Sequence, residues 1–327
     1  GFRVAEAEPG ESDWIAGTAS HLRQAGHRQM VADVPVGALL SGGLDSSAVV
    51  AFAREINPEI RCFTIEMNGG NEEGATDDLP YARWVAEHLD VPLDVVSIDA
   101  GQMAQDLERM VIQLDEPLAD PASLNVLYIS ELARKHGIKV LLSGAGGDDL
   151  FTGYSRHYAL LLEKWWRWLP ERIRAGLDKV TSRLDQRRPL GRRTAKLFNG
   201  ADLNGDVSIA NYFMWARDTE LMSLYTPEVK ARLSESLAWE PLIDFLGPAP
   251  ARLPRLERML LLEQRFFLAD HNLNYTDKMS MKEGVEVRVP FLDINLINFA
   301  NSIPSKYKQR GRQGKWVLKK AMEPFLP

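Results

Sequence analysis

The 327-residue sequence contains one cysteine, Cys62, which excludes both an intramolecular disulfide and a metal site built from several thiolates. Cys62 lies in the strand pattern Arg61-Cys62-Phe63-Thr64-Ile65-Glu66-Met67, where a buried small apolar residue is favoured over a nucleophile. No apolar run approaches the roughly 18 residues needed to span a bilayer. The N-terminus, Gly1-Phe2-Arg3-Val4-Ala5-Glu6, lacks the charged and apolar regions of a secretory signal. A cytoplasmic location without membrane contact is therefore expected. The net charge of −6 gives no basis for a nucleic-acid or membrane surface as the main partner. Internal repeats and low-complexity tracts are absent as well. A hydrophobic content of 45% over this length suffices for a sizeable core, in one large domain or two modest ones.

What is present between Val34 and Gly144 is a regular alternation. Strand patterns at 36–40, 62–67, 93–98 and 140–142 are separated by helical patterns at 48–55, 79–89, 103–114 and 124–136. This order predicts an α/β fold: a parallel sheet with right-handed crossovers, helices on both faces and ligands beyond the carboxyl ends of the strands. Residues 1–30 are polar, with one helical stretch at 14–24, and read as an entry segment. After Tyr154 the patterns at 160–169, 209–224 and 256–268 are helical, with no further strand. A basic stretch carries Arg172, Arg174, Lys179, Arg183, Arg187, Arg188, Arg192, Arg193 and Lys196. Asp178 and Asp185 interrupt it and no aromatic residue stacks within it, so it reads as a solvated or disordered segment rather than a nucleic-acid contact. Trp165, Trp166 and Trp168 just before it suit packing of a helix or a subunit contact, which is compatible with a homodimer.

The most informative segment is Val34-Pro35-Val36-Gly37-Ala38-Leu39-Leu40-Ser41-Gly42-Gly43-Leu44-Asp45-Ser46-Ser47. An apolar strand runs into a glycine turn and then a helix, which makes a phosphate cradle: the glycines admit a close ligand, and Ser41, Ser46 and Ser47 add donors at a helix N-terminus. It is not a Walker loop, because Gly43 and Leu44 stand where Lys and Ser/Thr belong. The cluster Gly144-Ala145-Gly146-Gly147-Asp148-Asp149 is not a dinucleotide fingerprint either, because Asp149 replaces its third glycine. The pattern Ser-Gly-Gly-x-Asp-Ser-Ser resembles the PP-loop of the ATP pyrophosphatases, which cleave ATP to AMP and pyrophosphate while adenylating a substrate. That resemblance implies a loop that holds the pyrophosphate part of ATP, with Asp45 as a ligand of Mg2+.

A second segment, Val140-Leu141-Leu142-Ser143 followed by the glycine cluster and Leu150-Phe151-Thr152-Gly153-Tyr154, again joins a buried strand to a glycine turn and paired carboxylates. It resembles the second signature of the asparagine-synthetase-type amidotransferases, Ser-Gly-Glu-Gly-Ser-Asp-Glu-Leu-Phe-Gly-Gly-Tyr. Three further segments are similar to parts of that family: the acidic run from Asp115 to Ser123, near the acceptor site; Asp277-Lys278-Met279-Ser280-Met281 with Val285-Glu286-Val287-Arg288-Val289-Pro290-Phe291-Leu292-Asp293; and Gly311-Arg312-Gln313-Gly314-Lys315-Trp316-Val317-Leu318-Lys319. The resemblance implies ATP held by Leu40, Ser41, Gly42, Gly43, Asp45, Ser46, Ser47, Ile65, Ser143 and Gly144. It also implies Mg2+ on Asp45 and Asp148 and Lys315 neutralising charge on the α-phosphate and the departing pyrophosphate.

The same resemblance frames residues 31–327 as the synthetase domain, with 31–154 the ATP-binding core and 155–327 a mainly helical part closing the acceptor site. Residues 1–30 would then be a linker from a glutaminase domain that the full-length chain is expected to carry. Gly1 and the ending Pro324-Phe325-Leu326-Pro327 read as the limits of an excised domain that lacks this glutaminase and a short tail. The expected reaction is adenylation of a carboxylate acceptor followed by attack of ammonia or an amine. Four positions depart from the signature: Ala145 for Glu, Gly147 for Ser, Asp149 for Glu and Thr152 for Gly. Alanine is no base, so either Asp149 or the substrate takes the proton, or the nucleophile is not ammonium. An intramolecular amide or lactam synthetase, a pathway-specific amidotransferase and a degenerate ATP-binding regulatory module remain as alternatives; intact Asp45, Asp148 and Lys315 argue against the last.

Overall fold

Alternate residues of the strands supply two apolar faces, and both are covered. The computed structural model describes residues 9–68, 78–116, 118, 120–185, 187–216, 218–233 and 237–327. Contacts divide the chain into two units, one of residues 1–152, 268–310 and 315–327, the other of 153–267 with 311–314. This differs from the expected division after residue 154, because most of the last sixty residues belong with the first unit.

In chain order the first unit begins with α1 (Glu11–Gln29), β1 (Val36–Leu39), α2 (Leu44–Ala53), β2 (Cys62–Asn68), α3 (Leu79–Leu89), β3 (Leu93–Asp99), α4 (Ala100–Gln113), α5 (Ala122–Lys135), β4 (Val140–Leu142) and α6 (Gly147–Phe151). Helix α1 does not stand outside the core: Trp14, Thr18, Leu22 and Ala25 fall on one buried face at helical spacing. The second unit follows with α7 (Ser155–Leu162), α8 (Glu171–Thr181), α9 (Pro189–Phe198), α10 (Gly205–Ala210), α11 (Asp218–Ser223), α12 (Pro227–Leu233), α13 (Glu240–Leu246) and α14 (Arg255–Leu262). A π-helical run over Glu263–Leu273 comes next. The first unit then resumes with α15 (Asn274–Lys282), β5 (Glu286–Arg288), α16 (Ile294–Ser302), α17 (Ser305–Lys308) and α18 (Trp316–Met322).

The five strands are all parallel in the order β3-β2-β1-β4-β5. Val36, Ala38, Leu40, Cys62, Val140 and Leu142 share a core with residues of α1, α2, α3, α16 and α18. The alternate set packs elsewhere: Phe63 and Leu141 pack with Ala133, and Ile98 with Met110, Leu124, Leu127, Tyr128 and Met279. Period-two side-chain alternation thus explains why β1 and β4 read as continuous apolar runs. Burial pushes the Cys62 thiol up to about 12, in keeping with a packing residue rather than a nucleophile.

Strand β5 was not expected. Its three residues, Glu-Val-Arg, carry no strand pattern of their own. It forms because the Glu286 N–H donates to the Lys139 carbonyl and the Ser143 N–H to the Arg288 carbonyl, each at 2.8 Å. The long helices expected in the second half are also interrupted. Helix α7 stops at Leu162 in a 3-10 turn, and the 209–224 pattern breaks after Ala210 at a turn over Asn211–Phe213. Helix α14 widens into the π-helical run where the fully buried Glu263 takes hydrogen bonds from Arg156 and pairs with His157 Nε2 at 2.9 Å.

The second unit's core is built on Leu160, Ile209, Ala210, Leu242, Leu246, Leu256, Met259 and Leu262. The basic stretch is helical over most of its length, as α8 and α9. Arg174 departs from the solvated reading: it is buried and donates to the carbonyls of Leu169 (3.1 Å) and Ala201 (2.5 Å) and to Asn204 Oδ1 (2.9 Å). The other eight basic side chains of the stretch are exposed. Trp166 packs on Phe198 with ring centroids 4.8 Å apart, whereas Trp165 and Trp168 are exposed. Among the described residues no helix is long and apolar enough to cross a membrane.

Candidate active site

The direction of strand addition reverses between β1 and β4, since β2 and β3 lie on one side of β1 and β4 and β5 on the other. Loops leaving the carboxyl ends of two such strands splay apart and form a crevice for a ligand. Both glycine motifs leave there. After the Leu40 N–H bonds the Phe63 carbonyl at 2.9 Å, the chain turns through Ser41, Gly42 and Gly43 into α2. Gly42 has φ +76°, and a side chain on it would run into the backbone nitrogen of Ala82, so only glycine serves. Hydroxyls brace the turn. Ser41 Oγ lies 3.0 Å from Ser46 Oγ and accepts the Gly43 N–H at 3.3 Å. Ser46 Oγ accepts the Ser41 N–H and donates to the Gly43 carbonyl, both at 3.2 Å. The first N–H groups of α2 therefore face a rigid, hydroxyl-lined turn suited to phosphate.

The second loop fits against the first. A Cβ on Gly144 would stand 2.5 Å from the Ser46 nitrogen, and one on Gly147 would stand 2.5 Å from Asp45 Oδ1. Glycine at 147, where the family signature has Ser, is thus what lets the Asp45 carboxylate lie against α6. Ser143 Oγ accepts the Ala145 N–H at 3.2 Å. Ile65 lies on β2 two positions beyond Phe63, the last residue paired with β1, and so rises past the end of β1 beside the turn. Thr152 shows why the signature has Gly at its position. Its φ is +69°, and its buried hydroxyl donates to the Lys308 carbonyl at 2.9 Å, which helps offset the strain of a β-branched residue there.

Lys315 closes the site from the far end of the sequence. It caps α18 in a left-handed conformation (φ +54°), and its N–H donates to the Phe151 carbonyl at 2.9 Å. Its ammonium sits 2.6 Å from both Asp45 Oδ2 and Asp148 Oδ1. Burial would lower its pKa, but the two carboxylates raise it on balance, so it stays charged at neutral pH. Burial pushes the Asp45 carboxyl up to about 6; Lys315 opposes that rise and Asp148 adds to it.

Asp149 is the neighbour of Asp148 on α6. It is buried, and its charge, with that of Asp120, falls on the Tyr275 phenol, which burial pushes up to about 12. Asp120 in turn accepts from His271 Nε2 at 2.9 Å. No local pattern in the sequence marks His271. The acidic run that holds Asp120 lies partly outside the described residues, at Pro117 and Ala119.

Among the described residues no group of three or more His, Cys, Asp and Glu side chains is placed to hold a metal ion. Magnesium needs less than that, since it is held through one or two carboxylates and completed by substrate phosphates and water. Asp45 and Asp148 meet this requirement, and Asp45 Oδ1 and Ser47 Oγ are buried with no hydrogen-bond partner, so the residues fit a magnesium–triphosphate ligand. Replacing Gly147 by Ala should force the Asp45 carboxylate aside. We expect a stability loss of about 1–3 kcal/mol by chemical denaturation and a larger fall in magnesium-dependent ATP binding by calorimetry than the melting change accounts for.

Comparison with known proteins gives the site its family. Residues 17–327 match the asparagine synthase family. A Mycobacterium tuberculosis protein named for glutamine-hydrolysing asparagine synthetase is 31% identical over 309 residues, 92% of this chain and 44% of that protein. Bacillus subtilis asparagine synthetase 1 is 30% identical over 301 residues, 91% and 45% of the two chains. Amidase chyE of Penicillium rubens is 24% identical over 357 residues, 97% of this chain and 51% of that protein. The chain thus spans less than half the length of the two synthetases. With two glycine loops meeting at the switch point of a parallel sheet, a lysine between their aspartates and a family match that runs to the last residue, the chain belongs to the asparagine synthase family.

Proposed function

We propose that this chain is a carbon–nitrogen ligase that adenylates a carboxylate with ATP, releases pyrophosphate and passes the acyl group to ammonia or an amine. The observation that carries the reading is the Lys315 ammonium held 2.6 Å from both Asp45 and Asp148, beside a serine-braced glycine turn. Ser41, Gly42, Gly43, Ser46, Ser47 and the α2 N-terminus hold the β- and γ-phosphates, and Leu40, Ile65, Ser143 and Gly144 hold the rest of the nucleotide. The acceptor carboxylate oxygen bonds to the α-phosphorus as its bond to the bridging oxygen breaks, and pyrophosphate leaves with that electron pair. Lys315 meets the negative charge that grows on the α-phosphate and leaving group. Magnesium on Asp45 and Asp148 would neutralise the triphosphate. The amine nitrogen then bonds to the acyl carbon, the bond from that carbon to the AMP oxygen breaks, AMP departs with its electron pair, and the nitrogen gives up a proton to solvent or a base.

The names of the two synthetases support glutamine as the nitrogen source, supplied by a glutaminase in the same polypeptide or as a separate partner. The acceptor is a different matter. Ala145 leaves no acid at the third position of the second motif, so aspartate with ammonium and magnesium–ATP should yield little asparagine. The deciding measurement is a screen of carboxylic acids for ATP–pyrophosphate exchange, which is reversible before the amine arrives. Exchange with an acid other than aspartate is the expected result. Efficient ammonia-dependent asparagine formation would place the chain with ordinary asparagine synthesis, and no exchange with any acid would leave an ATP-binding module.

A further inference from the structure

Helix α8 in the second unit reverses the usual pattern, in which a helix buries its apolar stripe. Its buried side chains are polar: Arg174 and Thr181, seven positions apart and so on one face. Both are satisfied by backbone carbonyls, Arg174 as described above and Thr181 by donating to Leu177 at 2.8 Å. The apolar stripe of Ile173, Leu177 and Val180, at i, i+4 and i+7, faces water, with Ile173 51% and Val180 65% exposed. Arg172 and Lys179 each precede a stripe residue by one position and so line its flank. The turn before α8 continues the surface: Trp165 and Trp168 are 68% and 75% exposed, and the Trp168 indole N–H is taken up by the Trp165 carbonyl at 2.9 Å. Helix α9, which packs with α8, buries none of its side chains and exposes Leu190.

The charge of this segment is equally one-sided. Residues 164–196 hold eleven Lys and Arg and three acidic residues, in a chain of net charge −6. Of the eight exposed basic side chains from Arg172 to Lys196, only Arg188 makes an ion pair among the described residues, with Asp185 at 3.6 Å. The expectation of no membrane contact drew on the charge of the whole chain, which averages this surplus away. A second copy of the chain would bring two such basic faces together, and like charges oppose that contact. Nucleic acid offers phosphates but no place for Ile173, Val180 and Leu190. An anionic lipid surface offers both phosphates and a hydrocarbon boundary.

We propose that the α8–α9 face of the second unit is a peripheral docking surface for a membrane containing anionic phospholipids. Helix α8 lies in the plane of the headgroups, with Ile173 and Val180 against the acyl chains and Arg172, Lys179 and Arg183 on the lipid phosphates. Trp165 and Trp168 sit at the headgroup level, where indole rings are favoured. This role is independent of the ligase reading and makes no use of its residues.

The test is co-sedimentation of the 327-residue chain with vesicles of phosphatidylcholine alone or with about 30% phosphatidylglycerol, the anionic lipid supplying the surface potential. Wild type should bind the anionic vesicles at least about tenfold more tightly than the neutral ones. Combining Trp165→Ser, Trp168→Ser, Ile173→Ser and Val180→Ser should weaken that binding by at least about 100-fold through lost apolar burial, with the melting temperature unchanged. Combining Arg172→Gln, Lys179→Gln and Arg183→Gln should weaken it by about 100-fold and leave binding to neutral vesicles as it was. A conservative pair guards against misfolding: Trp165→Phe with Trp168→Phe should keep the binding and lose most of the tryptophan quenching by lipids brominated on the acyl chains. No preference for anionic vesicles overturns the proposal. So does binding that the serine substitutions leave unchanged and that polyglutamate or a DNA duplex matches, since that is attraction to charge alone. A stable dimer that ignores vesicles and shields Trp165 and Trp168 from a soluble quencher overturns it in favour of a subunit contact.

Discussion

Lys315→Ala should lower the rate of pyrophosphate release by about 10²–10³-fold, the scale seen when one preorganised charge-stabilising donor is removed, while ATP affinity changes by less than about tenfold. The asymmetry follows from where the charge stands. In the ground state Lys315 shares Asp45 and Asp148, at 2.6 Å each, so little of its charge is spare for bound ATP. As the bond to pyrophosphate breaks, new negative charge appears that the two aspartates cannot meet. Lys315→Arg should not restore the rate, because a planar guanidinium cannot place a point charge between two carboxylates in the same way. The backbone at 315 is left-handed, so Lys315→Gly serves as a control in which the charge is lost and the strain relieved. Single-turnover release with rapid mixing separates the two effects. A collapse of ATP affinity with normal turnover at saturation would make Lys315 a binding residue only.

Asp45→Asn and Asp148→Asn should each reduce pyrophosphate exchange by at least about 100-fold, because each removes a charge that would hold magnesium on the triphosphate. They should differ in stability. Burial raises the Asp45 carboxyl to about 6 in the folded state, against an ordinary value of 3.8 that the unfolded chain would show. The native protein therefore binds more protons than the unfolded chain between those values, and its stability falls as pH rises through that window. Without magnesium, Asp45→Asn should melt with wild type near about pH 4 and above it near about pH 7.5, where wild type carries the buried charge. Magnesium–ATP should raise the melting temperature of wild type and not of Asp45→Asn. Normal exchange in either variant would remove the metal assignment. A lower melting temperature of Asp45→Asn near about pH 7.5 would mean that the Lys315 pair outweighs burial.

How far the sequence carried the argument depended on the sequence distance between interacting groups. The turn from β1 into α2 was legible because its causes are local: glycine at a positive φ, serines within six positions, an apolar run before and after. Strands β1 and β4 were legible because each is largely buried and continuously apolar, and β2 and β3 because apolar residues dominate runs that also carry Thr64, Glu66, Asp94 and Ser97. β5 was not, since its three residues form a strand only through bonds to Lys139 and Ser143. Helix α1 read as an entry segment because its buried face is only about one residue in four, and polar residues make up most of the remainder. Arg174 read as solvated because nothing near it in sequence reveals the carbonyls it caps.

The sequence by itself determined the parallel α/β sheet, the two glycine loops at strand ends and the chemistry of the residues they carry, because each depends on residue type and short-range spacing. Only the tertiary structure decided that Lys315 stands between Asp45 and Asp148, that Gly144 and Gly147 are glycines because the first loop lies against them, and that the charge of Asp149 falls on Tyr275 while His271 pairs with Asp120. Those contacts join residues more than a hundred positions apart in all but one case. Side-chain charge acts over a few ångströms of space, and a single sequence does not record which distant segments the packed core brings within that range.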